Sequence, residues 1–203
     1  MAPQNDIFPV MESFLTIQGE GKHQGHAAYF IRLGGCDVGC IWCDVKESWD
    51  AEVHPKRSLT ELVQEAVQSG VRLVVLTGGE PLMYDLTRLI SALQAEGIEV
   101  HIETSGAYPL RGTPDWVCFS PKRFKKPLPE LLDKADELKV IIFANSDFRW
   151  AEEFAQKVRP GCVLSLQPEW DKSEKMLPRI IEYVKTHPQW RVSLQTHKFM
   201  AIP

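Results

Sequence analysis

The chain has 203 residues, 44% hydrophobic and 25% charged, the proportions of one compact domain with a sizeable core, so a single domain over residues 1–203 is expected. A formal net charge of -4 repels phosphate backbones and argues against nucleic acid as a direct partner. The start MAPQNDIFPVMESF shows no basic-then-apolar leader pattern, and no apolar run approaches the ~18–20 residues of a membrane span, which points to a cytoplasmic protein without membrane contact.

Short β-type runs alternate with helical periodicity along the chain. AAYFIRL (Ala27 to Leu33) comes first and leads into GGCDVGCIWCD. Ser58 and Glu61 have capping-box spacing, and Leu59, Leu62, Val63, Ala66 and Val67 then recur on one helical face up to Gly70. RLVVLT (Arg72 to Thr77) runs into GGEP, and Leu86, Leu89, Ile90 and Leu93 predict a second helix ending at Gly97. IEVHIET (Ile98 to Thr104) leads to TSG. WVCFS leads to PK and to SPKRFKKPLPE, a Pro/Lys-rich loop from Ser120 to Glu130. ELKVII (Glu137 to Ile142) precedes a weaker helix around Phe148 to Val158. CVLSLQ precedes PEW and a helix around Ile180 to Lys185, entered through Pro178. RVSLQT (Arg191 to Thr196) is the seventh run, before HKF.

Strands separated by helices form right-handed βα units with a parallel sheet, and seven strands in a short chain predict an α/β fold, a partial (β/α) barrel of parallel strands. Such folds carry their sites where the strands end, and nearly every polar motif falls there.

Five cysteines without a leader do not suggest a disulfide framework. Cys118 and Cys162 stand alone in apolar runs, as small buried hydrophobes do. Cys36, Cys40 and Cys43 share one loop that can wrap a single metal centre. Structural zinc and ordinary iron-sulfur carriers take four protein ligands, and no fourth cysteine or histidine lies in the loop. Three thiolates on a 4Fe-4S cubane leave one iron open to a small molecule. Zinc, or a cluster completed by Cys118 or Cys162, fits the same spacing.

C-x3-C-x2-C with aromatic Trp42 before the last cysteine resembles the signature of the radical S-adenosylmethionine (radical SAM) superfamily. The resemblance implies a radical SAM type barrel whose open iron chelates the amino and carboxylate groups of S-adenosylmethionine. Reduction then breaks the sulfonium bond to give a 5'-deoxyadenosyl radical. Thr77-Gly78-Gly79-Glu80-Pro81 resembles the segment that holds the S-adenosylmethionine amino group in that superfamily.

FLTIQGEG, FIRLGGC, CIWCD, TGGEP, ETSG, SPK, LQPEW and a QTHKF tail ending on proline together resemble the 7-carboxy-7-deazaguanine synthase family over nearly the whole chain. That resemblance implies a lyase of queuosine and other 7-deazapurine biosynthesis, converting 6-carboxy-5,6,7,8-tetrahydropterin to 7-carboxy-7-deazaguanine and ammonia without net redox change. S-adenosylmethionine is then a cofactor, regenerated each turnover. By the same resemblance Trp42, Cys43, Asp44, Gly78, Gly79, Glu80, Ser105, Ser120, Pro121, Lys122 and Gln167 bind S-adenosylmethionine. Ile17, Gln18, Gly19, Glu20, Arg32, Thr77, Gln195, His197 and the Pro203 carboxylate bind the pterin.

The residue chemistry agrees at Arg32, a guanidinium in an apolar run that needs a partner: a substrate carboxylate, or a core glutamate. Family members commonly carry a Mg2+-binding threonine two residues after the last cysteine, where this chain has Val45, whose side chain has no oxygen. The resemblance further implies a flavodoxin- or ferredoxin-type reductant and a homodimer. A radical activase of a partner protein shares the cysteine spacing but leaves TIQGEG and the tail unexplained. An electron carrier or zinc module would release no 5'-deoxyadenosine.

Overall fold

A computed structural model describes residues 6–203; the first five residues of the stretch read for a leader lie outside them. The strands are β1 (Ile7–Ile17), β2 (Ala27–Leu33), β3 (Lys56–Ser58), β4 (Leu73–Gly78), β5 (Glu99–Thr104), β6 (Trp116–Phe119), β7 (Glu137–Ile142), β8 (Val163–Pro168) and β9 (Trp190–Val192). The helices are α1 (Leu59–Gln68), α2 (Thr87–Ala95), α3 (Glu130–Lys134), α4 (Ser146–Ala155), α5 (Ser173–Thr186) and α6 (Thr196–Met200). One sheet of nine strands has the order β3-β1-β2-β4-β5-β6-β7-β8-β9.

The seven expected runs are the parallel part, β2 and β4 to β9. Two antiparallel strands, β1 and β3, extend it beyond β2. Neither was foreseen: β1 mixes Pro9, Glu12 and Ser13 into its apolar residues and carries a bulge between Val10 and Glu12, and β3 has only three residues. Two expected boundaries are corrected. Pro178 lies inside α5 rather than at its entrance, and the seventh run stops at Val192, after which Thr196–Met200 turns helical.

Strand alternation divides the sheet into two chemically different faces. Val74, Leu76, Val100, Ile102, Leu138 and Val140 are fully buried in one core with Leu62 of α1, Leu89 and Leu93 of α2, Ala151 of α4 and Ile180 of α5. Each such aliphatic side chain contributes about 1.5–3 kcal/mol when fully removed from water. The capping box that starts α1 forms, with Glu61 N donating to Ser58 Oγ over 3.3 Å and Ser58 N donating to Glu61 Oε2 over 2.7 Å. The opposite face presents Arg32, Thr77, Glu103, Lys139 and Gln167 to an interior cavity.

The partial barrel is completed by a loop, residues 18–26. Gly21 N donates to Ser193 Oγ (2.9 Å), Lys22 N to Glu137 Oε2 (3.0 Å), and Gly19 O accepts from Thr196 N (2.9 Å). The QGEG motif thus turns inward, against β7 and the chain beyond β9.

Candidate active site

The cysteine loop leaves β2 and is pinned at both ends. Gly35 N donates to Ser48 O (2.6 Å) and Cys36 N to Trp49 O (3.1 Å), while Asp37 accepts from Tyr108 Oη (2.5 Å) and Lys125 Nζ (2.6 Å). Burial pushes the Cys36 thiol up and the Cys40 thiol to about 11, so both are protonated until a bound cation favours the thiolates. Cys118 and Cys162 do not line the cavity, and burial raises both thiols, Cys162 to about 11.

The two glycines after β4 are explained by the same loop. Gly78 has φ +114° and a Cβ there would lie 2.3 Å from the Leu33 carbonyl; a Cβ on Gly79 would lie 2.2 Å from the Gly35 carbonyl. The backbones are held together by Gly79 N donating to Leu33 O (2.8 Å) and Glu80 N to Gly35 O (2.9 Å). Gly79→Ala must therefore displace the cysteine loop. Its expected outcome is a folded protein that retains far less iron after anaerobic reconstitution, read by iron analysis beside circular dichroism.

Glu80 is buried, and its carboxylate accepts from Thr104 Oγ1 (2.6 Å), Leu82 N (3.1 Å), Ser105 N (2.9 Å) and Ser105 Oγ. These bonds engage both oxygens, so Glu80 fastens the GGE turn to the end of β5.

A cavity of about 510 Å³ opens where the parallel strands end. Every residue expected from the sequence lines it except Pro121. Ser120 and Lys122, on either side of it, both face the cavity. Lys122 Nζ donates to Ser120 Oγ (2.6 Å) and sits 5.4 Å from the centre of the Trp42 ring, beside the cysteine loop. Gln167 Oε1 accepts from Ser193 Oγ (2.7 Å). Asp44 faces the tail, accepting from Lys198 Nζ (2.8 Å) and Gln195 Nε2 (3.3 Å).

The tail folds back over the cavity: Ile202 N donates to His197 O (3.1 Å), Thr16 Oγ1 donates to Pro203 O (3.1 Å), and His197, Ile202 and Pro203 line the cavity while Phe199 and Met200 stay exposed. Burial holds the His197 imidazole below its usual range, with Glu20 opposing. Arg32 lines the cavity with its Nε 3.1 Å from Glu12 Oε1 and its guanidinium 5.5 Å from the Phe14 ring centre. Nε is not aligned for a hydrogen bond to that carboxylate. The guanidinium carries five N–H donors, so a charge partner at Nε is compatible with a substrate carboxylate elsewhere on the fork.

Sequence reasoning missed the polar centre. Lys139 Nζ, its side chain 4% exposed, donates to Glu20 Oε2 (2.6 Å) and to Glu103 Oε2 (2.8 Å). Burial pushes Glu20 up, but Lys139 and the Gln195 Nε2 donor (2.9 Å) overcome it and hold the carboxyl at about 2. Glu103 has only Lys139 as charge partner, and burial leaves it raised. A lone lysine in ELKVII is the same signal as the arginine in YFIRL and could have been read.

A barrel of parallel strands that brings three cysteines on one loop against a GGE turn defines a radical SAM protein, and the Radical SAM superfamily profile matches residues 30–143. Over 98% of its length the chain is 55% identical to a 7-carboxy-7-deazaguanine synthase of Flavobacterium psychrophilum, covering 95% of that protein. It is 52% identical to one of Synechocystis over 96% of this chain and 93% of the relative. The crystal structure of QueE from Escherichia coli superposes with a TM-score of 0.83 at 32% identity, covering 93% of each chain. The chain belongs to the 7-carboxy-7-deazaguanine synthase family.

Proposed function

We propose that this chain, as one radical SAM domain, converts 6-carboxy-5,6,7,8-tetrahydropterin to 7-carboxy-7-deazaguanine with release of ammonia. The observation that carries the reading is the convergence on one cavity of the cysteine loop, the GGE turn, the QGE loop and the docked tail. The cofactors of this superfamily are a 4Fe-4S cluster and S-adenosylmethionine, which when bound supply a carbon radical by reductive sulfonium cleavage. Cys36, Cys40 and Cys43 hold the cluster. The GGE backbone, Trp42, Ser120, Lys122 and Gln167 form the wall nearest to it.

The pterin takes the remaining wall. Arg32 offers N–H donors to its carboxylate, and ionised Glu20 accepts from its amino and ring N–H groups. Glu103 lines the same wall, paired with Lys139 and its carboxyl raised by burial. Neutral His197 and the tail exclude water from the same mouth. Anaerobic reconstitution with reductant, S-adenosylmethionine and 6-carboxytetrahydropterin tests the reading. The deazaguanine chromophore should appear without net consumption of S-adenosylmethionine, and steady 5'-deoxyadenosine release with no deazaguanine would reject it.

Val45 lines the cavity and offers Mg2+ no side-chain oxygen, so Mg2+ either binds through substrate and water alone or is dispensable in this chain. Rates should depend weakly on Mg2+ in the native chain and more steeply in Val45→Thr. Activity abolished by chelator and fully restored by Mg2+ in the native chain would contradict this. Electrons come from a flavodoxin- or ferredoxin-type protein, a reading supported by Ile41, 68% exposed between two of the cysteines. The family resemblance supports a cytoplasmic homodimer; among the described residues no helix is long and apolar enough to cross a membrane.

A further inference from the structure

We propose that His23, Glu99 and His101 form a second metal site, for a borderline divalent transition ion such as Zn2+, at the end of the barrel opposite the cysteine loop. Glu99 and His101 are two residues apart on β5 and so share a face, at the strand's start; Thr104, at its other end, bonds Glu80 of the GGE turn. The five residue steps from Glu99 to Thr104 put roughly 17 Å between the two ends. His23 reaches the same point from the 18–26 loop. One ligand atom from each of the three side chains lies within 4.8 Å of the other two.

The arrangement is graded in stiffness as a metal site requires. His101, its side chain 4% exposed, is fixed in the barrel, and its ring meets that of His23 edge-on at 4.4 Å and 84°. Trp116, the cross-strand neighbour of His101, also packs on His23, its ring centre 4.6 Å away. Glu99, 52% exposed, is the movable ligand: its Oε1 now lies 2.7 Å from His101 Nε2. Ligands about 2.0–2.1 Å from a tetrahedral ion stand about 3.3 Å apart, so Glu99 must open from His101 by roughly half an ångström and His23 close on the same point to admit the ion. A surface pocket lined by His23, Glu99, His26 and Arg72 gives access. His26, whose ring centre is 5.7 Å from that of His23, or a water completes the fourth position. Arg72 spends an N–H on the Glu96 carbonyl (2.9 Å) and stands at the pocket edge.

Two imidazoles and one carboxylate select zinc, copper or nickel over Mg2+, which prefers oxygen ligands. A bound ion ties the 18–26 loop to β5. That loop also carries Gln18, Gly19 and Glu20 into the active-site cavity, so the ion would brace the cavity floor from outside.

The test uses the cluster-loaded protein dialysed against Zn2+ alone, with zinc and iron measured by mass spectrometry and melting followed by calorimetry. One equivalent of zinc should bind at micromolar free metal and raise Tm by roughly 5–10 °C at a hundredfold excess over Kd, with iron unchanged. Glu99→Gln and His23→Gln should each lose the bound zinc and the shift while keeping their iron, and millimolar Mg2+ should not displace zinc from the native protein. Glu99 is exposed, so its variant keeps the fold even if that of His23 does not. Failure of the native protein to bind zinc, or a full equivalent kept by Glu99→Gln, would overturn the proposal.

Discussion

Alanine at Cys36, Cys40 or Cys43 is expected to leave a folded protein that takes up essentially no 4Fe-4S cluster and cleaves no S-adenosylmethionine, whereas Cys118→Ala and Cys162→Ala keep both. The three loop cysteines are the ones that reach the cavity. Cys118 lies on β6 within the barrel, 2% exposed, where its thiol, raised well above its usual range by burial, sits beside Glu103 and Lys139 and away from the cavity lining. With three thiolates the cluster keeps an open iron; with a fourth it is closed, and no small molecule can chelate it. Iron analysis and 5'-deoxyadenosine release, both run anaerobically, check this. Loss of iron in Cys118→Ala as complete as in Cys40→Ala would close the cluster with four protein ligands and remove the basis for the proposed chemistry.

What could be read from the chain depended on how local the signal was. The parallel strands carry apolar, largely β-branched runs and the helices beside them a regular apolar spacing, with a capping box at the start of α1, so these elements declare themselves within ten or so residues. The cysteine loop and GGE turn were equally legible, because close backbone approach demands glycine whatever the distant partner is. β1 was hidden because its pairing partners, β2 and β3, compensate for Pro9 and the bulge that spoil its pattern. The inward fold of the 18–26 loop depends on Glu137, Ser193 and Thr196, more than a hundred residues away, and nothing near Gly21 announces them. Glu103 was illegible for a related reason: alternation puts Glu99, His101 and Glu103 of IEVHIET on one face, but only the assembled barrel shows that this face is the inner one.

Lys139→Met should cost about 3–5 kcal/mol at pH 7, the scale of stranding a buried carboxylate, and a drop of roughly 10 °C in Tm follows for a domain of this size. Lys139 is a single cation between two carboxylates, and the Gln195 donor decides which of them takes the charge. Glu20, depressed from 4.5 to about 2, contributes about 3 kcal/mol that is fully present above pH 4.5 and is lost as pH falls toward 2. Glu103 is shifted the other way, so its ionisation weakens the fold as pH rises through its raised pKa. Without the ammonium both carboxyls rise, and the variant should therefore gain stability on acidification from pH 7 to 5. The native protein changes less over that range, because Glu20 stays ionised. The gap between them narrows. Glu103→Gln added to Lys139→Met removes one stranded charge and should recover part of the loss at pH 7, a non-additivity that mere misfolding would not produce. Iron content should be native in both variants, while pterin turnover falls because Glu20 loses the ammonium that holds its carboxylate in place toward the substrate's N–H groups. Urea midpoints at pH 7 and pH 5, with iron analysis alongside, measure all of this; a Lys139→Met protein within 1 kcal/mol of native at pH 7, by the slope relation for urea, would show that the polar centre of the barrel is held by something other than this lysine.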